Sequence, residues 1–250
     1  MDFDFSDDQD SLRDAVRRWV DKGFGFERRH TLDKAGGATR AVWGELADLG
    51  LAGLVVPEAH GGMGFGAVEA MVVAEELGRG LVNAPYAAAA LMAPALLAQA
   101  PAAVQAAWLP GIASGDTLVV PALHERASRH RWQRVAVRAR PAGDGWLLDG
   151  TKCVVPAGDE ADAFIVSARH AGADHAEAGL GLFLVKRADA RVLGYATQDG
   201  ARAADLHLAA TPAVLLQAEA AGTLALAVDV GSAAVCAEAV GLMDRLVAIT

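Results

Sequence analysis

The sequence predicts an α+β fold in which helices and strands are segregated: an all-helical N-terminal domain, a middle antiparallel β-domain of barrel or sandwich type, and the start of a C-terminal helical bundle. Three observations carry this reading. Apolar residues recur at helical spacing near the N-terminus, as at Leu12, Val16, Trp19 and Val20. The middle of the chain breaks into short apolar or alternating runs divided by turn residues. From Glu219 onward the helical period returns through Leu224, Val228, Val235, Val240, Met243 and Leu246, with no stop signal. The boundaries follow as residues 1–115, 116–217 and 218–250.

Taken in order, Ser6-Asp-Asp-Gln9 has the form of a capping box and predicts a helix start. A second helix is expected from Thr39 to Leu49 with Val42, Leu46 and Leu49 inward, and Gly50 suits its left-handed cap. Leu54 to Gly66 carries four glycines in six residues. Without a GxGxxG frame or a Lys-Ser/Thr ending, it reads as a turn joining two helices in preference to a phosphate cradle. Further helices are expected from Ala67 to Leu77, stopped by Gly78, from about Pro85 to Ala98, and from Pro101 to Leu109. Gly111 to Asp116 is a loop, and the extended part begins at Asp116.

There, Arg134 to Arg140 alternates basic with small or apolar residues, placing Val135 and Val137 on one face of a strand. Trp146 to Arg169 reads as a β-meander: two apolar runs, Trp146–Leu148 and Ala163–Val166, flank a core in which Asp149-Gly150 and Ala157-Gly158-Asp159 mark reversals. Leu180 to Arg187 is a buried strand, and Gly194 to Leu216 continues as short strands punctuated by Asp199-Gly200 and Pro212.

Composition narrows the classes of function. The chain has 250 residues, 53% of them hydrophobic, enough for a core of ordinary density. A net charge of −9 argues against a nucleic-acid partner, since such binding needs clustered cations. The one basic cluster, Arg126, Arg129, Arg131 and Arg134, reads as a solvated strand edge, with a phosphate contact as the sharper alternative. Two cysteines, Cys153 and Cys236, without metal-ligand spacing, suit a reducing cytoplasm. The N-terminus has no secretion signal, and the alanine-rich run Ala84 to Ala98 is too short for a membrane span.

Residue chemistry alone reveals no activity. The pairs His124/His130 and His170/His175 lack metal-ligand spacing, and Ser114, Ser128, Ser167 and Ser232 lack a nucleophile elbow. Asp229 and Glu238 are possible bases, but read as the wet side of the last helix.

Several segments together resemble the acyl-CoA dehydrogenase family of flavoproteins. Phe5-Ser-Asp-Asp-Gln9 is similar to its first helix, and Leu49-Gly-Leu-Ala-Gly-Leu-Val-Val-Pro-Glu-Ala-His-Gly-Gly-Met-Gly64 to its signature of LG, hydrophobics, PE, GG and G. Glu75-Glu-Leu-Gly-Arg79 follows in place, and Trp146 to Lys152 with Ala161-Asp162 resembles the middle-domain pattern. The likeness spans the whole chain, and among subgroups it is most similar to the bacterial small-subunit type, such as that of pimeloyl-CoA dehydrogenase.

The resemblance implies FAD held between the β-domain and the C-terminal bundle, a hydride passing to it from the acyl β-carbon, and a glutamate taking the α-proton. It implies an acyl-CoA substrate, electron-transfer flavoprotein as acceptor, and a homo- or hetero-oligomer with no membrane partner. It places Leu123, His124 and His130 on one flavin-contacting stretch and Val154, Val155 and Pro156 on the other. His124-Glu125-Arg126 stands where the family has Thr-Glu-Pro, and Val154-Val155-Pro156 where it has Trp-Ile-Thr, so an aromatic wall and a hydroxyl are missing and Pro156 offers no N–H. The usual catalytic glutamate would lie beyond Thr250, and a minority site on the last helix falls at Gly231. One helix cannot bury its apolar stripe alone, so either a partner supplies the remaining bundle or the polypeptide is part of a longer product. A non-catalytic subunit shaping a paralogue's pocket is the alternative, and a flavin monooxygenase of the same fold a third.

Overall fold

The computed structural model describes residues 4–37, 40–176 and 178–250. Helix α1, Asp7–Gly23, begins at the capping box: the Gln9 N–H donates to Ser6 Oγ at 3.3 Å, and the Ser6 N–H donates to Gln9 Oε1 at 3.0 Å. Val16 and Val20 are its buried face. Helix α2, Phe26–Lys34, was not foreseen, and it buries no residue, so the sequence carries no periodic apolar stripe to announce it. Helix α3 is described as Arg40–Asp48, Thr39 lying outside the described residues; Val42, Trp43 and Leu46 are buried, and Leu49 is only partly so. Gly50 takes the left-handed conformation at φ 78°.

The glycine-rich stretch does join two helices, and it folds back on the chain just before it. Met63 N–H donates to Gly53 O at 3.0 Å, Gly64 N–H to Val56 O at 2.9 Å and Phe65 N–H to Leu54 O at 2.9 Å. A Cβ at Gly62 would overlap the Val56 carbonyl, which is why glycine stands there. Helix α4, Ala67–Arg79, then runs past the anticipated stop, so Gly78 lies inside it. The expected helix near Pro85 is a π-helix, Ala87–Met92, leading directly into α5, Ala93–Leu97. Helix α6, Ala102–Ala113, passes through Pro110 and absorbs the start of the expected loop, because Ile112 and Ala113 are buried.

Seven strands form one sheet that closes on itself. They are β1, Val119–Ala122; β2, Arg138–Ala142; β3, Gly145–Pro156; β4, Ala163–Arg169; β5, Leu180–Lys186; β6, Arg191–Ala196; and β7, Arg202–Gln217. The ring runs β2-β3-β7-β5-β4 and returns to β2 through the parallel pair Arg138↔Arg169. Strand β1 adds to β4 in parallel, so the sheet is mixed where the sequence suggested a wholly antiparallel one. Strand β6 hangs from β7 alone.

Three local expectations change. Asp149-Gly150 is no reversal: β3 continues through it with a register shift, Gly150 at φ 140° and the Val137 backbone pressed against it. Val135 and Val137 are both buried as their alternation required, yet laddering starts only at Arg138, since the N–H groups of Ala136 and Val137 donate to the Glu125 carboxylate at 2.8 and 3.3 Å. The segment Gly194 to Leu216 is one hairpin, turning at Asp199-Gly200, whose second strand runs through Pro212 with irregular register. Ala157 to Glu160 does form the expected turn.

Helix α7, Ala221–Ile249, departs most from its reading. Leu224 is buried, but Val235, Val240, Met243 and Leu246 are exposed; the buried face is Ala227, Gly231, Ala234, Ala237 and Gly241. Small residues let α7 approach α4 and the π-helix closely, and the bulky stripe faces outward. By length and composition α7 is also apolar enough to cross a bilayer, a property shared by core helices of globular proteins.

Candidate functional site

A cleft of about 700 Å³ opens where the barrel, the Val82–Ala88 segment and α7 meet. Four of the six residues named from the sequence line it: Leu123, His124, His130 and Pro156. Val155 does not, being buried in the barrel, and Val154 is 51% exposed outside it. Val154 also sits at φ 51°, an outlier for a β-branched residue, at the irregularity between Lys152 and Val155. Its N–H donates to Tyr195 Oη at 3.2 Å and to Asp205 Oδ1 at 3.4 Å, so the bulge has its own surface anchor.

The two stretches singled out from the sequence are tied together. Cys153 N–H donates to the His124 carbonyl at 2.9 Å. Beneath them lies a buried ion pair, in which Lys152 Nζ, wholly enclosed, donates to Glu125 Oε1 at 2.7 Å, to Ser167 Oγ at 2.9 Å and to the Leu123 carbonyl at 3.3 Å. Burial pushes the Lys152 ammonium down from its ordinary range, and Glu125 opposes that shift. One side chain of β3 therefore fixes the backbone on which Leu123 and His124 are presented.

Sequence reasoning missed the rest of the lining. Trp132 borders the cleft on the loop before β2, Tyr86 precedes the π-helix, and Glu238 reaches it from α7. Glu238 is thus not on the wet side of its helix. Position 238 follows 231 and 235 at helical spacing, a signal visible in the sequence but uninterpretable until α7's packed face was known. The basic cluster lies on the loop between β1 and β2 and is exposed, with Arg126 3.6 Å from Asp205. Among the described residues no group of three or more His, Cys, Asp or Glu side chains is placed to hold a metal ion.

Burial raises the Glu238 carboxyl, with no hydrogen bond or neighbouring charge contributing among the described residues. A raised value means that the folded protein holds the proton more tightly than the unfolded chain does. The wild-type protein therefore loses stability as pH rises from the ordinary carboxylate value of 4.5 through the raised one. Glu238→Gln will be more stable than the parent at neutral pH, and the gain will shrink as pH falls toward 4.5. Urea unfolding across pH measures this, and a gain that does not vary with pH would count against it.

The cleft's size is that of a cofactor or substrate site. Leu123, Pro156, Trp132 and two imidazoles offer flat and apolar surface on the barrel side, which fits a planar heteroaromatic ring. The opposite walls, Ala84 to Ala88, Met92 and Val235, are apolar and suit an alkyl chain.

Comparison with known proteins bears on what this cleft serves. The family model for the acyl-CoA dehydrogenase N-terminal domain matches residues 6–116. Acyl-CoA dehydrogenase FadE12 of Mycobacterium tuberculosis is 31% identical over 194 residues, covering 72% of this chain and 47% of its own length. The chain spans about half the length of the curated relatives it matches. Among solved structures, a variant of the Tcur3481-Tcur3483 steroid ACAD superposes with a TM-score of 0.83 at 31% identity, over 97% of this chain and 65% of that one. The ChsE4-ChsE5 complex from Mycobacterium tuberculosis is similar at a TM-score of 0.80 and 29% identity, over 98% and 66%.

Proposed function

Because this chain belongs to the acyl-CoA dehydrogenase family, we propose that its cleft serves α,β-dehydrogenation of an acyl-CoA thioester with FAD as cofactor, in the cytoplasm, with electron-transfer flavoprotein as the acceptor. The observation that carries this reading is the meeting, at one cavity, of the barrel stretches around Leu123 and Pro156 with the apolar helical wall. FAD bound there supplies the two-electron acceptor. Leu123, His124, His130 and Pro156 would hold the ring, with Val155 supporting β3 from beneath and Val154 at the rim. Ala84 to Ala88 and Val235 exclude water from the acyl chain.

A base for the α-proton is not found at Gly231, where the resemblance places one in some members. A Cβ there would lie 2.7 Å from Met92 Sδ, so a glutamate would have to displace Met92. We therefore assign the base to chain outside these residues, either further helices of the same product or a partner subunit. A specific observation favours the second reading, that of a subunit in a heteromeric dehydrogenase: the outward stripe Val240, Met243, Leu246 and Val247 is suited to packing against further helices, and the similar ChsE4-ChsE5 structure is a complex.

The test is the visible spectrum of the purified protein, alone and with partner chains, followed on addition of a panel of acyl-CoAs. A yellow protein bleached by an acyl-CoA is the expected result. A colourless chain that binds acyl-CoA only beside a yellow partner supports the subunit reading, and failure to take up either flavin or acyl-CoA in any combination overturns both.

A further inference from the structure

The turn that carries Trp132 into the cleft wall is closed at both ends by arginine. The Arg134 N–H donates to the Arg131 carbonyl at 3.0 Å, and Trp132 and Gln133 form the corner between them. A turn of this kind brings its first and last α-carbons within about 7 Å, so Arg131 and Arg134 stand together beside a residue that lines the cavity. Arg129 comes from the turn before, where its N–H donates to the Glu125 carbonyl at 3.3 Å and the Arg131 N–H donates to the Ser128 carbonyl at 2.9 Å. Arg129, Arg131 and Arg134 are all exposed, and none has an ion-pair partner among the described residues.

The backbone beneath them is fixed from several sides. Arg169, 1% exposed, donates from Nη2 to the Gln133 carbonyl at 2.9 Å. The buried Ser128 hydroxyl donates to the Glu125 carbonyl at 2.9 Å, and the Glu125 carboxylate accepts from the Ala136 N–H at 2.8 Å. Charge along this stretch is one-sided. From Leu123 to Arg140 the single carboxylate is Glu125, and it is turned inward to Lys152. The chain as a whole carries −9 and so repels a polyanion, which makes a local cationic rim the feature able to draw one to this mouth.

Guanidinium forks match phosphate oxygens two at a time. None of the three arginines is among the cleft-lining residues, whereas His130 and Trp132, interleaved with them in the chain, both are. The cations therefore edge the cavity on its solvent side. They suit a group that stays in water while the rest of its molecule is enclosed.

We propose that Arg129, Arg131 and Arg134 form a phosphate-binding rim at the cleft mouth, which takes the 3′-phosphate and diphosphate of coenzyme A while the acyl arm enters the cavity. The inference rests on the acyl-CoA reading above. A flavin dinucleotide carries a diphosphate of the same chemistry, but a resident cofactor is held by enclosure, and a substrate that enters and leaves is held at its exposed end.

The experiment is calorimetric titration of the full chain, with its partner where one is needed, using octanoyl-CoA, its 3′-dephospho form and S-octanoyl-pantetheine. Octanoyl-CoA is expected to bind about tenfold more tightly than the pantetheine thioester, with the dephospho form between them, and the gap should narrow as salt is added. Arg131→Gln with Arg134→Gln should bring octanoyl-CoA down to the pantetheine affinity and leave that affinity unchanged, which shows the cavity still folded. Arg18→Gln with Lys22→Gln removes the same charge from the exposed face of α1 and should keep the gap. Equal binding of the three compounds by the wild-type protein, or a gap closed as much by the α1 changes, would overturn the rim and leave the acyl-CoA reading intact. A gap that survives Arg131→Gln with Arg134→Gln would also overturn it, and weakened FAD uptake by that variant would then assign the turn to the flavin diphosphate. No binding of any of the three thioesters would overturn both.

Discussion

Lys152→Met will destabilise the protein by about 3–5 kcal/mol, the range seen when one member of a buried ion pair is removed and the other left charged. Lys152 is wholly enclosed and Glu125 nearly so, and the ammonium has three oxygen partners. Removing it leaves the Glu125 carboxylate with only the Ala136 and Val137 N–H groups. For a chain of this size the loss corresponds to a fall in melting temperature on the order of 10 °C. The local consequence is as informative. The same carboxylate holds the 135–137 segment and the same ammonium holds the Leu123 carbonyl, so the wall carrying Leu123 and His124 should loosen and ligand affinity should fall with stability. Thermal unfolding and acyl-CoA titration measure the two effects, and a loss below about 1 kcal/mol would show that the pair has no such role.

Gly241→Leu is the second large effect. A side chain at 241 would run into the Glu75 carbonyl and the Arg79 N–H of α4, which are backbone atoms in the middle or end of a helix and cannot move aside singly. Gly78 faces α7 from the other side of the same crossing, so both helices give up side chains where they touch. Overpacking of this kind costs about 1–3 kcal/mol, and here it also pushes away the helix that carries Val235 and Glu238 into the cleft. Gly44→Ala in α3 is the control. A Cβ there meets nothing within 4 Å, so better helix propensity should stabilise the protein by up to about 1 kcal/mol. Should Gly241→Leu unfold with the midpoint of the wild type, the close crossing would have no energetic weight.

These two sites also show what the sequence could and could not convey. The capping box at Ser6, the left-handed Gly50, the buried strand Leu180–Lys186 and the order of helices, strands and helix were legible because each rests on a local pattern that tertiary packing then used. Glycine was the ambiguous letter. At 50 it ends a helix, at 78 and 241 it lies inside one for the sake of a neighbour, and at 150 it bends a strand, yet all four look alike in the chain. The large residues of α7 were expected inward because periodicity reports a stripe without saying which partner covers it. For the candidate site, the two stretches carried by the resemblance led to four of the lining residues. Tyr86, Trp132 and Glu238 came from elements far apart in sequence, and no local signal joins them.

Closure of the sheet has a consequence for solubility. Around the ring every strand has a neighbour on both sides, and β1, which lies outside it, is buried along its whole length. That leaves the outer margin of β6, with Leu193 and Tyr195 exposed on it, without a strand partner along its whole length and open to another chain. Arg191 at its start is scant protection for such a template, so self-association of this protein through strand pairing should begin at β6.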